Sequence, residues 1–237
     1  MPLNLMSNFD SEGPNNNNDW EDRGDLVWNE FDWERYLREQ DEAILRYRGF
    51  YEAAKDKSDR VDVVAERMGW DIADWTDDID DNSDDDDEDD DSDEPGEGDV
   101  YTLHKNPIFI ATKAIASSLQ QSWQLSVEST GTGITPTFAL AVLSSLNRGE
   151  EQAVQAIHAL DFGDYAMAIS LFKRALSILN NSLALLNGQE ATEQPTLMAF
   201  RDAALPGLFD LREIWLRVIN ECREELERPA DPEDDEE

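Results

Sequence analysis

Apolar residues recur at helical spacing through most of this chain and give way in one stretch to almost nothing but acid. From Trp28 to Lys55 the segment WNEFDWERYLREQDEAILRYRGFYEAAK lacks proline, and Trp33, Tyr36, Leu37, Ile44, Tyr47 and Tyr51 fall close to a 3.6-residue period. This spacing predicts an amphipathic helix with an aromatic face, N-capped by Asp32. Val61, Val64 and Met68 predict a second, shorter helix with Ser58 as its cap and Gly69 as its stop. Together the two make a helical hairpin.

Periodicity resumes at Asn106-Pro107, an N-cap followed by proline in the first turn, after which Ile108, Ala111, Ile115, Leu119 and Trp123 mark one face. Ser129 to Gly133 ends that helix, and Thr135-Pro136 opens the next by the same device. Its face is Phe138, Val142, Leu146, Ala153, Ile157 and Leu160, with Gly149 a weak point. Asp164 caps a third helix through Tyr165, Ala168, Ile169, Phe172, Leu176, Leu179 and Leu183, which stops at Gly188. A fourth, expected to break or kink at Pro206-Gly207, continues through Leu208, Leu211, Trp215, Val218, Ile219, Cys222 and Leu226.

No strand-like alternation interrupts these segments, so the expected class is all-α. The expected architecture is a C-terminal up-and-down four-helix bundle (101–228) and an N-terminal helical hairpin in an acidic, tryptophan-rich region (25–76). A disordered acidic linker (77–100) joins them, with disordered segments at 1–24 and 229–237. Residues 162–179, FGDYAMAISLFKRALSIL, with Gly163, Tyr165, Ala168, Ile169, Phe172, Ala175 and Leu176, resemble the second helix of a tetratricopeptide repeat. The resemblance covers this one helix, with no second copy at that family's period. It implies a helical interaction domain and carries over no functional residue.

Charge sharpens the division. The 237-residue chain has a formal charge of −36, and residues 1–100 hold 9 basic against 35 acidic side chains, whereas residues 101–228 hold 10 against 14. From Asp77 to Glu94, 14 of 18 residues are Asp or Glu, so mutual repulsion favours an extended, solvated run. Such a balance leaves too few cations to line a phosphate backbone, which argues against direct nucleic-acid binding and for a basic protein as any electrostatic partner. Cys222 is the only cysteine, which rules out an internal disulfide and suits a reducing compartment. MPLNLMSNFDSEG has no signal-peptide pattern, and Ile108 to Leu119 is too short and too interrupted to span a bilayer. The expected location is cytoplasmic.

Parts for catalysis are scarce. His104 and His158 are the only histidines, and the residues three before them are Tyr101 and Gln155, so the Glu-x-x-His pairs of di-metal bundles are absent. Asp161-Phe162-Gly163 matches a kinase tripeptide without the accompanying loops and reads as an inter-helix turn, as does Gly131-Thr-Gly133. An EF-hand alignment from Asp80 puts Asp85 and Asp91 where glycine and glutamate are required. The expectation is a non-enzymatic protein with no metal and no cofactor.

Five of seven tryptophans lie within the first 80 residues. Trp28 and Trp33 are expected in the hairpin's own core or in the face that docks it on the bundle. Trp70, Ile72, Trp75 and Ile79, interleaved with acids, form a candidate docking motif of the acidic-hydrophobic type. Asp84, Asp85, Asp86, Asp87, Glu88, Asp89, Asp90 and Asp91 are the candidate surface for a basic partner. Four functional readings follow: a protein-interaction adaptor whose bundle holds a partner or a second copy of itself; an acidic mimic or chaperone of a basic nucleic-acid-binding protein; an enzyme using carboxylates alone, for which no inward carboxylate pair stands out; and a structural subunit of a larger assembly.

Overall fold

The computed structural model describes residues 29–70, 105–130, 133–188 and 193–228. Among them are six α-helices and no strand: α1 Glu30–Ala53, α2 Arg60–Met68, α3 Pro107–Thr130, α4 Pro136–Asp161, α5 Tyr165–Leu186 and α6 Pro195–Glu227. The division between compact units falls inside α1, between Glu39 and Gln40.

The first unit contributes the opening turns of α1. Asn29, rather than Asp32, is the N-cap: its Oδ1 accepts from Phe31 N at 2.8 Å and from Asp32 N at 3.3 Å. Asp32 Oδ2 accepts in return from Asn29 N at 3.1 Å, so the pair forms a reciprocal capping box with aspartate at the third helical position. The helix therefore starts earlier than the apolar period alone suggested. Trp33 packs edge-on to Tyr36 at 5.9 Å but remains 49% exposed, which corrects its expected place in a hairpin core. Trp28 lies outside the described residues.

In the second unit the predicted punctuation is mostly where the sequence puts it. Asn106 Oδ1 accepts from Ile108 N at 2.9 Å to start α3, Thr135 Oγ1 accepts from Phe138 N at 3.3 Å to start α4, and Asp164 Oδ1 accepts from Met167 N at 2.9 Å to start α5. Gly69 ends α2 in the left-handed conformation at φ 81°. The cap of α2 moves one residue, from Ser58 to Asp59, whose side chain makes no capping bond. The tripeptide Asp161-Phe162-Gly163 lies at the inter-helix turn: Asp161 ends α4 and Phe162-Gly163 make the turn, with Gly163 at φ 70°. Of the break or kink expected at Pro206-Gly207, the break does not occur, and α6 runs through Pro206. Proline inside a helix costs about 3 kcal/mol. Buried residues on both sides (Phe200 and Ala204 before it; Leu208, Leu211 and Trp215 after) hold the two halves on one core and offset that cost.

Helix α3 packs on α4 and α6, and α5 packs on α4 and α6. The predicted faces point inward: Ile108, Ala111, Ile115, Leu119 and Trp123 are buried on α3, as are Val142, Ile157 and Leu160 on α4. Both core tryptophans have polar partners for their N–H groups, as burial requires. Trp123 Nε1 donates to Ala139 O at 3.1 Å, and Trp215 Nε1 donates to Thr112 Oγ1 at 3.2 Å. Leu226 departs from the pattern; it is 54% exposed at the end of α6.

The hairpin residues from Gln40 to Trp70 belong to this same unit. Tyr47, Tyr51, Ala54, Val61 and Val64 are part of the one apolar core that α3 to α6 build. They do not make a satellite region of their own. The physical reason is size: a nine-residue α2 with three strongly buried apolar side chains cannot close a core without a larger surface to cover it.

Candidate functional site

The residues that join α1 and α2 to α6 form an aromatic and ionic clasp. On α1, Tyr47 and Tyr51 lie one turn apart, so their rings stack, with centroids 6.1 Å apart and planes at 18°. Trp70, just past the Gly69 stop, stacks on Tyr47 at 5.7 Å and 24°. Gly69 makes that return possible, because its left-handed backbone turns the chain back and lets Trp70 N donate to Ala65 O at 3.0 Å. The guanidinium of Arg60 sits 4.6 Å from the centre of the Tyr51 ring, a cation–π contact.

Asp210 of α6 receives this cluster. Its Oδ2 accepts from Tyr51 Oη at 2.5 Å and from Arg60 Nε. The Arg60 and Asp210 side chains are only 9% and 13% exposed, so this is a buried ion pair. Gly207, one turn earlier, leaves space for it: a Cβ there would lie 3.6 Å from Tyr51 Oη and 3.3 Å from Leu119 Cδ2. Burial and the hydrogen bond to the Asp210 carboxylate push the Tyr51 phenol far above its ordinary range. Burial, with the Asp210 charge second, pushes Tyr47 up as well. Tyr47 Oη and Arg60 Nη2 are buried without a hydrogen-bond partner among the described residues, so the clasp is incompletely satisfied.

A second, more exposed pair lies alongside. Arg217 of α6 bonds Asp62 of α2 through both of its terminal nitrogens and also reaches Glu213. The Arg217 hydrogen bond holds the Asp62 carboxyl below the usual carboxylate range. Arg48 on α1 donates to Gln121 of α3 at 2.6 Å.

Of the residues singled out by sequence, Trp70 is placed here, half-buried in the stack. Ile72, Trp75, Ile79, Asp84, Asp85, Asp86, Asp87, Glu88, Asp89, Asp90 and Asp91 lie outside the described residues. Both flanks of the segment that carries them are anchored in one compact unit, Trp70 by its stack and Asn106 by the buried cap of α3. His158 is exposed on α4 and His104 is outside the described residues. Among the described residues, no three His, Cys, Asp or Glu side chains gather as a metal cradle needs, and no helix is long and apolar enough to cross a membrane.

Sequence reading missed Arg60, Tyr51 as a polar partner, and Asp210. A signal was present: Asp210 lies between Gly207 and Ile214 at helical spacing, a charge on what is otherwise the apolar stripe of α6. A charge on such a stripe demands a buried partner. No family model, curated protein or solved structure matches the chain.

Proposed function

We propose that this chain is a non-enzymatic protein-interaction protein of a reducing, cytoplasmic compartment. In this reading α3 to α6 form an up-and-down four-helix bundle, the α1–α2 hairpin docks on it, and the platform presents the acidic, tryptophan-bearing segment between Trp70 and Lys105 to a protein partner. The observation that carries it is the stacking of Trp70 on Tyr47, 5.7 Å apart, at the residue where that segment leaves the core. Anchoring both flanks restricts where the segment can reach, which lowers the ordering cost of engaging a partner. The reducing compartment is inferred from the single cysteine, Cys222, which is buried.

A second reading is favoured by the 14 acids in the 18 residues from Asp77 to Glu94: the segment occupies the basic site of a nucleic-acid-binding protein. The two are separated by a pull-down with full-length protein and a deletion of residues 77–94, washed at low and high salt. A partner retained under both conditions supports the adaptor. Basic proteins lost on deletion and at high salt support the mimic, and a bait that retains nothing in any arm counts against both.

A further inference from the structure

Although acids outnumber bases almost three to one, only six of the thirteen described arginines pair with a carboxylate, and Arg46, Arg67 and Arg212 make no ion pair among the described residues. The paired ones are Arg35, Arg38, Arg60, Arg201, Arg217 and Arg228. Arg148 of α4 and Arg174 of α5 make no ion pair or hydrogen bond among the described residues, yet they line the same cleft. That cleft, of about 340 Å³, is completed by Glu151, Gln152, Ser177 and Ile178. The register explains the arrangement. Residues 148, 151 and 152 on one helix and 174, 177 and 178 on the other each follow i, i+3, i+4 spacing, so each helix turns one continuous face to the gap.

We propose that this cleft binds a phosphate monoester, with the phosphate oxygens held between Arg148 and Arg174. Guanidinium groups present planar forks of donors that match an oxyanion, and a dianion balances two of them. The Ser177 hydroxyl is a further donor. Gln152 uses Nε2 toward Gln155 Oε1 at 3.0 Å, which leaves its carbonyl oxygen and second N–H for a ligand. Glu151 sets the selectivity: it accepts from a hydroxyl or amide on the remainder of the ligand and repels a second acidic group there. Ile178 gives that remainder an apolar contact. The chain's overall charge of −36 repels an anion at long range. Screening over about 8 Å at physiological ionic strength leaves the contacts inside the cleft to decide.

A small free monoester and a phosphorylated serine of a protein present the same chemistry, and the test separates them. The full-length chain is titrated calorimetrically with inorganic phosphate, with glycerol phosphate, and with a peptide carrying phosphoserine among neutral residues. At least one ligand is expected to saturate with a Kd of about 1 mM or tighter, and the unphosphorylated peptide and chloride are expected not to bind. Binding by glycerol phosphate identifies a small-molecule source; binding by the peptide alone identifies a protein source. Arg148→Gln and Arg174→Gln should each weaken binding about ten-fold, as loss of a charge-assisted bond implies. Because both side chains are exposed, the thermal midpoint of each variant should match the wild type. Affinity should fall between about pH 7.5 and about pH 5.5, as the monoester takes up its second proton. Failure of every ligand to saturate the wild type overturns the proposal without recourse to variants. Binding indifferent to both substitutions overturns it as well.

Discussion

Replacing Asp210 with asparagine isolates the energetics of the clasp. The substitution keeps the side-chain shape and removes the charge opposite Arg60, whose side chain is only 9% exposed. Removing one partner of a buried pair costs about 3–5 kcal/mol, because the remaining charge is left in a poorly solvating site. Two features reduce the figure. The Tyr51 ring still faces the guanidinium at 4.6 Å, and the asparagine oxygen still accepts from Tyr51 Oη. The expected loss is therefore about 3 kcal/mol, at the lower end of that range. The double substitution Arg60→Met with Asp210→Asn should recover most of this loss, since an unpaired buried charge no longer remains. Urea unfolding followed by far-ultraviolet circular dichroism measures both. A loss under about 1 kcal/mol for Asp210→Asn, or a double variant no more stable than the single, would refute the argument that the charge is effectively buried.

Three further outcomes follow from other parts of the molecule. Tyr47 and Tyr51 hold their protons above the ordinary phenol range, so the folded state binds more protons than the unfolded chain once pH exceeds about 10. Their contribution is complete below that pH and is lost as pH rises: urea midpoints should fall above about pH 10, with a limiting slope of about 2.7 kcal/mol per pH unit for the two, and Tyr47→Phe should reduce it. Gly149→Ala should raise stability by about 0.5–1 kcal/mol, since the new Cβ meets Ile178 Cγ2 at an ordinary 3.7 Å and alanine is the better helix former; a lowered thermal midpoint would show the site has less space than that distance implies. Cys222, 1% exposed with its thiol pushed up to about 11, should not react with a disulfide reagent near neutral pH until the protein is unfolded in urea; rapid reaction of the folded chain would contradict its burial.

Local chemistry made much of the helical plan legible. Asn106-Pro107, Thr135-Pro136 and Asp164 are short-range devices whose effect depends on residues three positions away, so sequence spacing specifies them. Asn29 escaped because asparagine reads equally as loop or cap, and the spacing around Pro206 left a break open because its local penalty is outweighed only by packing from residues far along the chain. The clasp is the least local feature of all. Tyr51 and Arg60 meet Asp210 across 159 and 150 residues, and only the docking of the hairpin on α6 brings them together. The sequence predicted an amphipathic hairpin, but its apolar face alone did not say whether a partner, a second copy or this chain's own other helices would cover it.

That docking changes what a single cut in the chain would do. Were the backbone opened anywhere between Trp70 and Lys105, the two fragments would share one core, with Tyr47, Tyr51 and Val64 from one piece set among Ile115, Leu119 and Leu211 from the other. The clasp at Asp210 and the Arg217 to Asp62 pair would fix their alignment. A continuous chain joining two such pieces supplies effective concentration to their assembly. Loop closure also grows slowly with length, at about 0.6 kcal/mol per doubling. The closure cost of this core therefore depends only weakly on how many residues join Trp70 to Lys105.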